Sequence, residues 1–118
     1  MKSKREYTDY LQDMLEASTK AIQFVQDVNF EAFSKNEEKI FAVIRAFEII
    51  GEAAKNIPKS MREQYVDVPW EDMIGMRNKV IHGYFGVDVE VIWKTVHEDL
   101  PPLQARITKI LEDLIKIM

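Results

Sequence analysis

Apolar residues recur at steps of three and four along nearly the whole chain of 118 residues, which is the spacing of one face of an α-helix. In the first such segment, from about Tyr7 to Val28, the apolar stripe comprises Leu11, Met14, Leu15, Ser18, Ile22 and Val25. No stretch alternates apolar and polar residues for long enough to predict a strand. The sequence therefore predicts an all-α fold.

Breaks between the periodic segments set the number of helices. Further helices are predicted from Ser34 or Asn36 to Pro58, from Pro69 to Gly83 and from Asp88 onwards. Pro101 and Pro102 either kink the last helix or start a fifth one. The linker between Pro58 and Pro69 has room for one short helical turn. We expect a single domain, residues 1–118, built as an antiparallel bundle of four to five helices.

Charge and composition limit the classes of partner and location. The net charge of −4 argues against a broad electrostatic footprint for nucleic acid, so any RNA or nucleotide site must be local. There are no cysteines, which excludes disulfides and thiolate metal sites. The N-terminal stretch lacks the apolar region of a signal peptide, and the apolar runs are too short to span a membrane. We expect a cytoplasmic protein with no membrane segment.

The stretch "MRNKVIHGYF", residues 76–85, concentrates polar side chains at the end of an apolar helix. On a straight helix with about 100° per residue, Arg77 and His82 point about 140° apart. They converge on one phosphate if Gly83 ends the helix and frees the imidazole, or if two copies meet across a two-fold axis. The second arrangement also doubles Arg77 and Lys79 in one cleft, which offsets the acidic charge of the chain.

A structural interpretation of the same stretch stays open. Arg77 would then make an ion pair, and a charged His82 would interact favourably with the C-terminal end of the helix dipole. The spacing alone does not decide between this interpretation and a shared phosphate site.

Four charged residues form a stripe along the second predicted helix: Arg45, Glu48, Glu52 and Lys55. The stripe is either a solvated face or lies against "RNKVIH", where Glu48 or Glu52 would orient Arg77 or accept a proton from His82. Gly51 in the same helix costs about 1 kcal/mol relative to alanine, which indicates that another helix approaches closely there.

His97 is the second histidine of the chain and stands beside Glu98 and Asp99. A metal site would also need His82, and no spacing motif links the two histidines. We interpret His97 as a surface or helix-end residue, and we predict neither a metal ion nor a cofactor.

Several segments in order resemble the HEPN superfamily, in particular the HepT-like ribonuclease toxins. Residues 77–84, "RNKVIHGY", fit the R-x4-H-x-Y signature of that group. The flanking segments "RAFEIIGEAAKNIP", "PWEDMIGMRNKVIHGYFGVD" and "IWKTVHEDLPPL" resemble it as well. The likeness therefore covers most of the chain.

The resemblance implies an all-helical bundle that forms a two-fold dimer, with a metal-independent ribonuclease site in the cleft between protomers. It implies that Arg77 and His82 are catalytic and that Asn78 assists them. It also implies that Tyr84 receives AMP from a cognate minimal nucleotidyltransferase antitoxin of the MntA type, which silences the toxin.

The sequence thus predicts an endoribonuclease toxin of a toxin–antitoxin system, a homodimer that can assemble further with its antitoxin. In it, a neutral His82 takes the 2′-OH proton of RNA, Arg77 stabilises the phosphorane, and Lys79 helps to bind phosphate. One alternative is a non-catalytic helical module that binds a nucleotide or recruits a nucleotidyltransferase. A second is a structural dimerisation domain, with Trp70 and Trp93 in the core or interface.

Overall fold

The structure, a computed structural model, describes residues 6–82 and 88–117, and the side chains of residues 79–82 and 117 lie outside this description. In chain order its elements are α1 (Tyr7–Phe24), α2 (Phe30–Ser34), α3 (Glu37–Lys55), α4 (Lys59–Gln64), α5 (Trp70–His82), α6 (Val89–Lys94), a π-helical segment (Thr95–Asp99) and α7 (Leu100–Ile117). Within these ranges there is no strand, so the predicted all-α fold is confirmed. No described helix is both long and apolar enough to cross a membrane.

Side-chain caps start several of the helices where the sequence places them. The Asn36 side chain accepts a hydrogen bond from the Lys39 backbone N–H at 3.1 Å and begins α3. The Asp88 carboxylate accepts one from the Glu90 N–H at 2.9 Å and begins α6. Each bond pairs a backbone N–H that has no partner inside its helix. The linker after Pro58 holds the short helix α4.

The first helix is shorter than predicted. α1 ends at Phe24 rather than near Val28, and Asp27 adopts the left-handed conformation with φ 62°. Asn29 then caps a separate short helix, because its side chain accepts from the Ala32 N–H at 2.8 Å. Aspartate is one of the few residue types that tolerate the left-handed region, so a turn forms although the apolar spacing continues through it.

Of the two alternatives for Pro101 and Pro102, the start of a further helix agrees with the structure, in which α7 begins at Leu100. The two prolines lie in the first turn of α7, which continues from α6 through the π-helical segment. The Leu100 N–H donates to the Thr95 carbonyl, five residues earlier. Proline has no N–H and its ring clashes with the carbonyl four residues earlier, so a widened turn just before the two prolines accommodates them.

The helices α1, α3, α5 and α7 form the bundle: α3 packs against both α1 and α5, and α1 packs against α7. Their buried faces supply most of the core, including Leu11, Met14, Val43, Ile50, Leu103, Ile107 and Ile110. The short helices add aromatic side chains. The Trp93 ring lies 5.2 Å from the buried Phe33 ring, and the buried Trp70 indole donates to the Tyr65 carbonyl at 3.0 Å.

The helices α3 and α5 approach each other closely at Gly51, as the glycine in that apolar helix indicates. A Cβ at Gly51 would overlap the Arg77 Cβ and would lie 2.8 Å from both the Arg77 Cγ and the Met73 carbonyl oxygen. Two of these atoms belong to the α5 backbone or its first side-chain carbon, which cannot swing away. The absence of a side chain at Gly51 therefore sets how closely Arg77 packs on α3.

Gly51→Ala should lower the free energy of unfolding by about 1–3 kcal/mol, because the added methyl must push α5 away from α3. Gly75→Ala is the matched control, since a Cβ there meets nothing within 4 Å. That control should gain about 0.5–1 kcal/mol from helix propensity. Urea denaturation of both variants measures the difference. Equal effects of the two substitutions would contradict the close contact.

Candidate functional site

Arg77 lies where α5 crosses α3, and both terminal nitrogens of its guanidinium have partners. Its Nη2 pairs with the Glu52 Oε2 at 2.9 Å, and its Nη1 donates to the Asn78 Oδ1 at 3.2 Å. The Arg77 side chain is only 24% exposed. An arginine has five N–H donors in a planar fork, so two fixed partners define the plane in which the group lies. The structure thus holds Arg77 in one orientation beside Asn78.

The position of Glu52 follows from the glycine that precedes it. Gly51 lets the two helices touch, and the next residue of α3 then projects beside the contact rather than into it. The Glu52 side chain is 54% exposed, so the ion pair lies at the surface of the crossing. Pairs this exposed contribute less than about 1 kcal/mol to stability. The pair therefore acts on the orientation of Arg77 more than on the stability of the fold.

Glu48 has a different neighbour from Glu52. It lies one turn earlier on α3, and its ion-pair partner among the described side chains is Arg45, at 3.6 Å within the same helix. Of the two carboxylates considered from the sequence, Glu52 is the one that contacts Arg77. Arg45 and Glu48 form a pair on the same stripe in which the arginine is 70% exposed and the carboxylate 29% exposed.

A groove between α1 and α3 lies beside Glu52, the carboxylate that pairs with Arg77. Tyr10 and Asp13 of α1 line this groove, of about 170 Å³, together with Glu48 and Glu52. The sequence analysis did not single out Tyr10 or Asp13. A tyrosine and an acid three positions apart share a helix face, but such pairs are common on solvated helices, so the sequence carries no distinctive signal for them.

The remaining residues of the candidate motif are located only by the backbone or lie outside the described residues. Lys79 and His82 belong to α5, of which His82 is the last residue, and their side chains are not described. Tyr84 and Gly83 fall in residues 83–87, outside the described ranges. Convergence of Arg77 with His82, a helix end at Gly83 and modification of Tyr84 therefore stay predictions.

His97 is exposed and interacts with its own helix. Its Nδ1 lies 2.8 Å from the Trp93 carbonyl oxygen, and its ring centroid lies 4.1 Å from that of the Trp93 ring. These contacts fit the interpretation of His97 as a helix-surface residue. Among the side chains that the structure describes, which exclude that of His82, no group of three or more acidic or histidine residues is arranged to hold a metal ion.

Comparison with known proteins assigns the chain to a family. Residues 14–110 match the model of a family described as ribonuclease HepT-like. A Thermococcus cleftensis protein named "Probable ribonuclease HepT" is 49% identical over 107 residues, which cover 91% of this chain and 97% of that protein. Proteins with provisional RNase names from Methanocaldococcus jannaschii and Caldanaerobacter subterraneus are 43% and 42% identical. The alignments cover 89% and 87% of this chain, and 96% and 92% of the relatives. No solved structure matches the chain significantly.

A double-mutant cycle with Glu52→Gln and Arg77→Gln should give a coupling energy of about 0.5–1 kcal/mol, because the Arg77 side chain is only 24% exposed and the pair joins two helices. The matched cycle with Arg45→Gln and Glu48→Gln should give about 0.3 kcal/mol, as expected for a longer ion pair, at 3.6 Å, between residues three apart in one helix. Urea denaturation at low ionic strength measures both. If the Arg77 cycle shows no coupling, Glu52 does not hold the guanidinium.

Proposed function

Since this chain belongs to the HepT-like ribonuclease family, we propose that it is a metal-independent endoribonuclease that serves as the toxin of a toxin–antitoxin pair. The predicted enzyme class, a ribonuclease, is confirmed by the family. The proposal adds the site: a cleft between two copies of the chain, where the R-x4-H-x-Y segment of each copy contributes. The observation that carries it is the fixed orientation of Arg77, the first residue of that segment.

Arg77 is proposed to stabilise the transition state of RNA cleavage. Attack of the 2′-oxygen on phosphorus produces a phosphorane whose equatorial oxygens gain negative charge. The forked N–H donors of arginine match two such oxygens, and a group that is already oriented needs no reorganisation during the reaction. The ion pair with Glu52 and the hydrogen bond to Asn78 provide that orientation in the free protein.

His82 is proposed as the general base. A neutral imidazole accepts the 2′-OH proton, the 2′-oxygen bonds to phosphorus, and the 5′-oxygen leaves and takes up a proton. An ordinary histidine pKa near 6.5 suits this task at neutral pH. Since Arg77 and His82 diverge by about 140° on one straight helix, opposite protomers supply them. The same cleft would combine Arg77 and Lys79 of both copies for phosphate binding.

Tyr84 is proposed as the control point. A minimal nucleotidyltransferase of the MntA type would join the tyrosine oxygen to the α-phosphorus of ATP, with release of pyrophosphate and loss of the phenolic proton. Tyr84 follows His82 by two residues. The adenylyl group would place bulk and negative charge where the substrate phosphate must lie. The modified dimer, alone or in a larger assembly with the antitoxin, would therefore be inactive.

His82→Ala should lower RNA cleavage measured with EDTA present by at least about a hundredfold, because the base is lost. His97→Ala is the matched control: it removes the other histidine of the chain and should keep full activity. Circular dichroism should show that both variants keep their helices. Equal cleavage by the two variants would contradict the assignment. No cleavage by any form, with nucleotide binding retained, would favour the non-catalytic module.

Mixing two inactive variants tests whether the site is shared. The proposed dimer holds two equivalent Arg77–His82 pairs in its cleft, each formed across the two-fold axis. In a mixed dimer of Arg77→Ala and His82→Ala, one pair loses both groups and the other keeps both. After exchange of subunits, random pairing should restore about a quarter of the wild-type activity. If each protomer supplied both groups of its own site, the mixture would stay inactive.

Incubation with the partner nucleotidyltransferase and ATP should add AMP to the chain, as seen by intact-mass spectrometry, with loss of ribonuclease activity. Tyr84→Phe should abolish the addition, because the acceptor hydroxyl is gone. Tyr7→Phe, a change of the same kind at another of the four tyrosines, should not. Addition that persists in Tyr84→Phe would place the modification elsewhere.

A further inference from the structure

A seam runs between α5 and the last part of the chain, and its lining includes neither Arg77 nor Glu52. It contains a cavity of about 230 Å³ between α3, α5, the π-helical segment and the start of α7. Its lining is largely apolar and includes Phe47, Ile50, Met73, Met76, Leu100 and Leu103. Cavities between the helices of a bundle, with an apolar lining and few polar groups, are common binding sites for small molecules.

The polar groups at this cavity are mainly acidic. Asp72 comes from α5, and Glu98 and Asp99 come from the π-helical segment. All three acids are exposed residues. Partial burial of its carboxyl raises the pKa of Asp99 above its ordinary value, and the negative charges of Glu98 and Asp72 raise it further. Acids on both walls of the seam thus act on one another. A nearby positive charge would relieve that repulsion and stabilise the ionised form of each acid.

The cation that also lines the cavity does not fully balance these acids. Arg106 of α7 has its Nε 3.7 Å from the Asp67 Oδ2, so its charge is shared with a fourth carboxylate. The cavity therefore combines an apolar lining with a net negative rim. Phosphate groups of RNA would be repelled here, and a hydrated metal ion would gain nothing from the apolar lining.

We propose that this seam binds a small organic amine, with a primary ammonium at Asp72, Glu98 and Asp99 and a short apolar chain against Phe47, Met73 and Leu103. The cavity has room for roughly eight water-sized groups, which suits a chain of about seven heavy atoms. A free amine fits this volume better than a protein segment, which must bring its own backbone. The site is independent of the proposed ribonuclease function.

The probe is n-hexylammonium, and hexan-1-ol is its uncharged control. Calorimetric titration measures the affinity of each, and NMR spectra of the protein with methyl-labelled methionine locate the binding site. The amine should shift the methyl signals of Met73 and Met76 and leave those of Met14 and Met61 in place. It should bind at least about tenfold more tightly than the alcohol, because only the amine interacts with the carboxylates. Asp99→Asn and Asp72→Asn should each weaken its binding by about tenfold.

Glu112→Gln is the matched control, since it removes one negative charge from an exposed position of α7 outside the cavity. Its affinity for hexylammonium should equal that of the wild type. Asp72→Asn still tests the site if Asp99→Asn does not fold. The proposal would be overturned by equal binding of the alcohol, by equal losses in the Glu112 control, or by shifts of all the methionine signals. Binding of a lysine-containing peptide without binding of hexylammonium would also overturn it.

Discussion

The contact between α3 and α5 at Gly51 is the constraint on which the candidate site depends. Because residue 51 has no side chain, the α5 backbone can pack directly against α3, and the Cβ of Arg77 occupies the space that a larger residue would fill. The next residue of α3, Glu52, then lies within reach of the guanidinium at 2.9 Å. One missing side chain thus fixes the separation of two helices and, through the ion pair, the direction of the arginine. The cost of a glycine inside a helix, about 1 kcal/mol, is offset by that packing.

Much of the fold follows from local signals, and its differences from expectation have local causes too. The apolar spacing gives the long helices, and Asn36 and Asp88 mark helix starts because their side chains pair free backbone N–H groups. The same spacing overextends the first helix, since Val25 and Val28 continue the apolar stripe while Asp27 turns the backbone. The π-helical segment could not be predicted from periodicity. It inserts one extra residue into a helical turn, a change set by Leu100 and the two prolines that follow rather than by the pattern of apolar residues.

The contacts of Arg77 in the candidate site could not be predicted from residue spacing along the chain. Glu48 and Glu52 lie about 40° apart around a helix, so the sequence predicts that both lie on the same helix face. Which of them meets Arg77 depends on where α5 crosses α3, and Gly51 sets that crossing. The relation between Arg77 and His82 is a different case. Within one straight helix they diverge, so in the proposed site the two side chains come from different copies of the chain. The geometry between two copies cannot be read from residue spacing along one of them.

The Glu52–Arg77 pair also bears on how an acidic protein could act on RNA. A carboxylate beside the guanidinium weakens its attraction for a phosphodiester, which carries a single negative charge. The phosphorane carries more charge on its equatorial oxygens, so the arginine gains more from the transition state than from the bound substrate. Binding both states equally would not accelerate cleavage. Because the charge of Glu52 repels the phosphorane as well as the substrate, its benefit to the chemical step comes from the orientation of Arg77. In the proposed mechanism, Glu52 therefore lowers the affinity for RNA while it keeps Arg77 oriented for formation of the phosphorane.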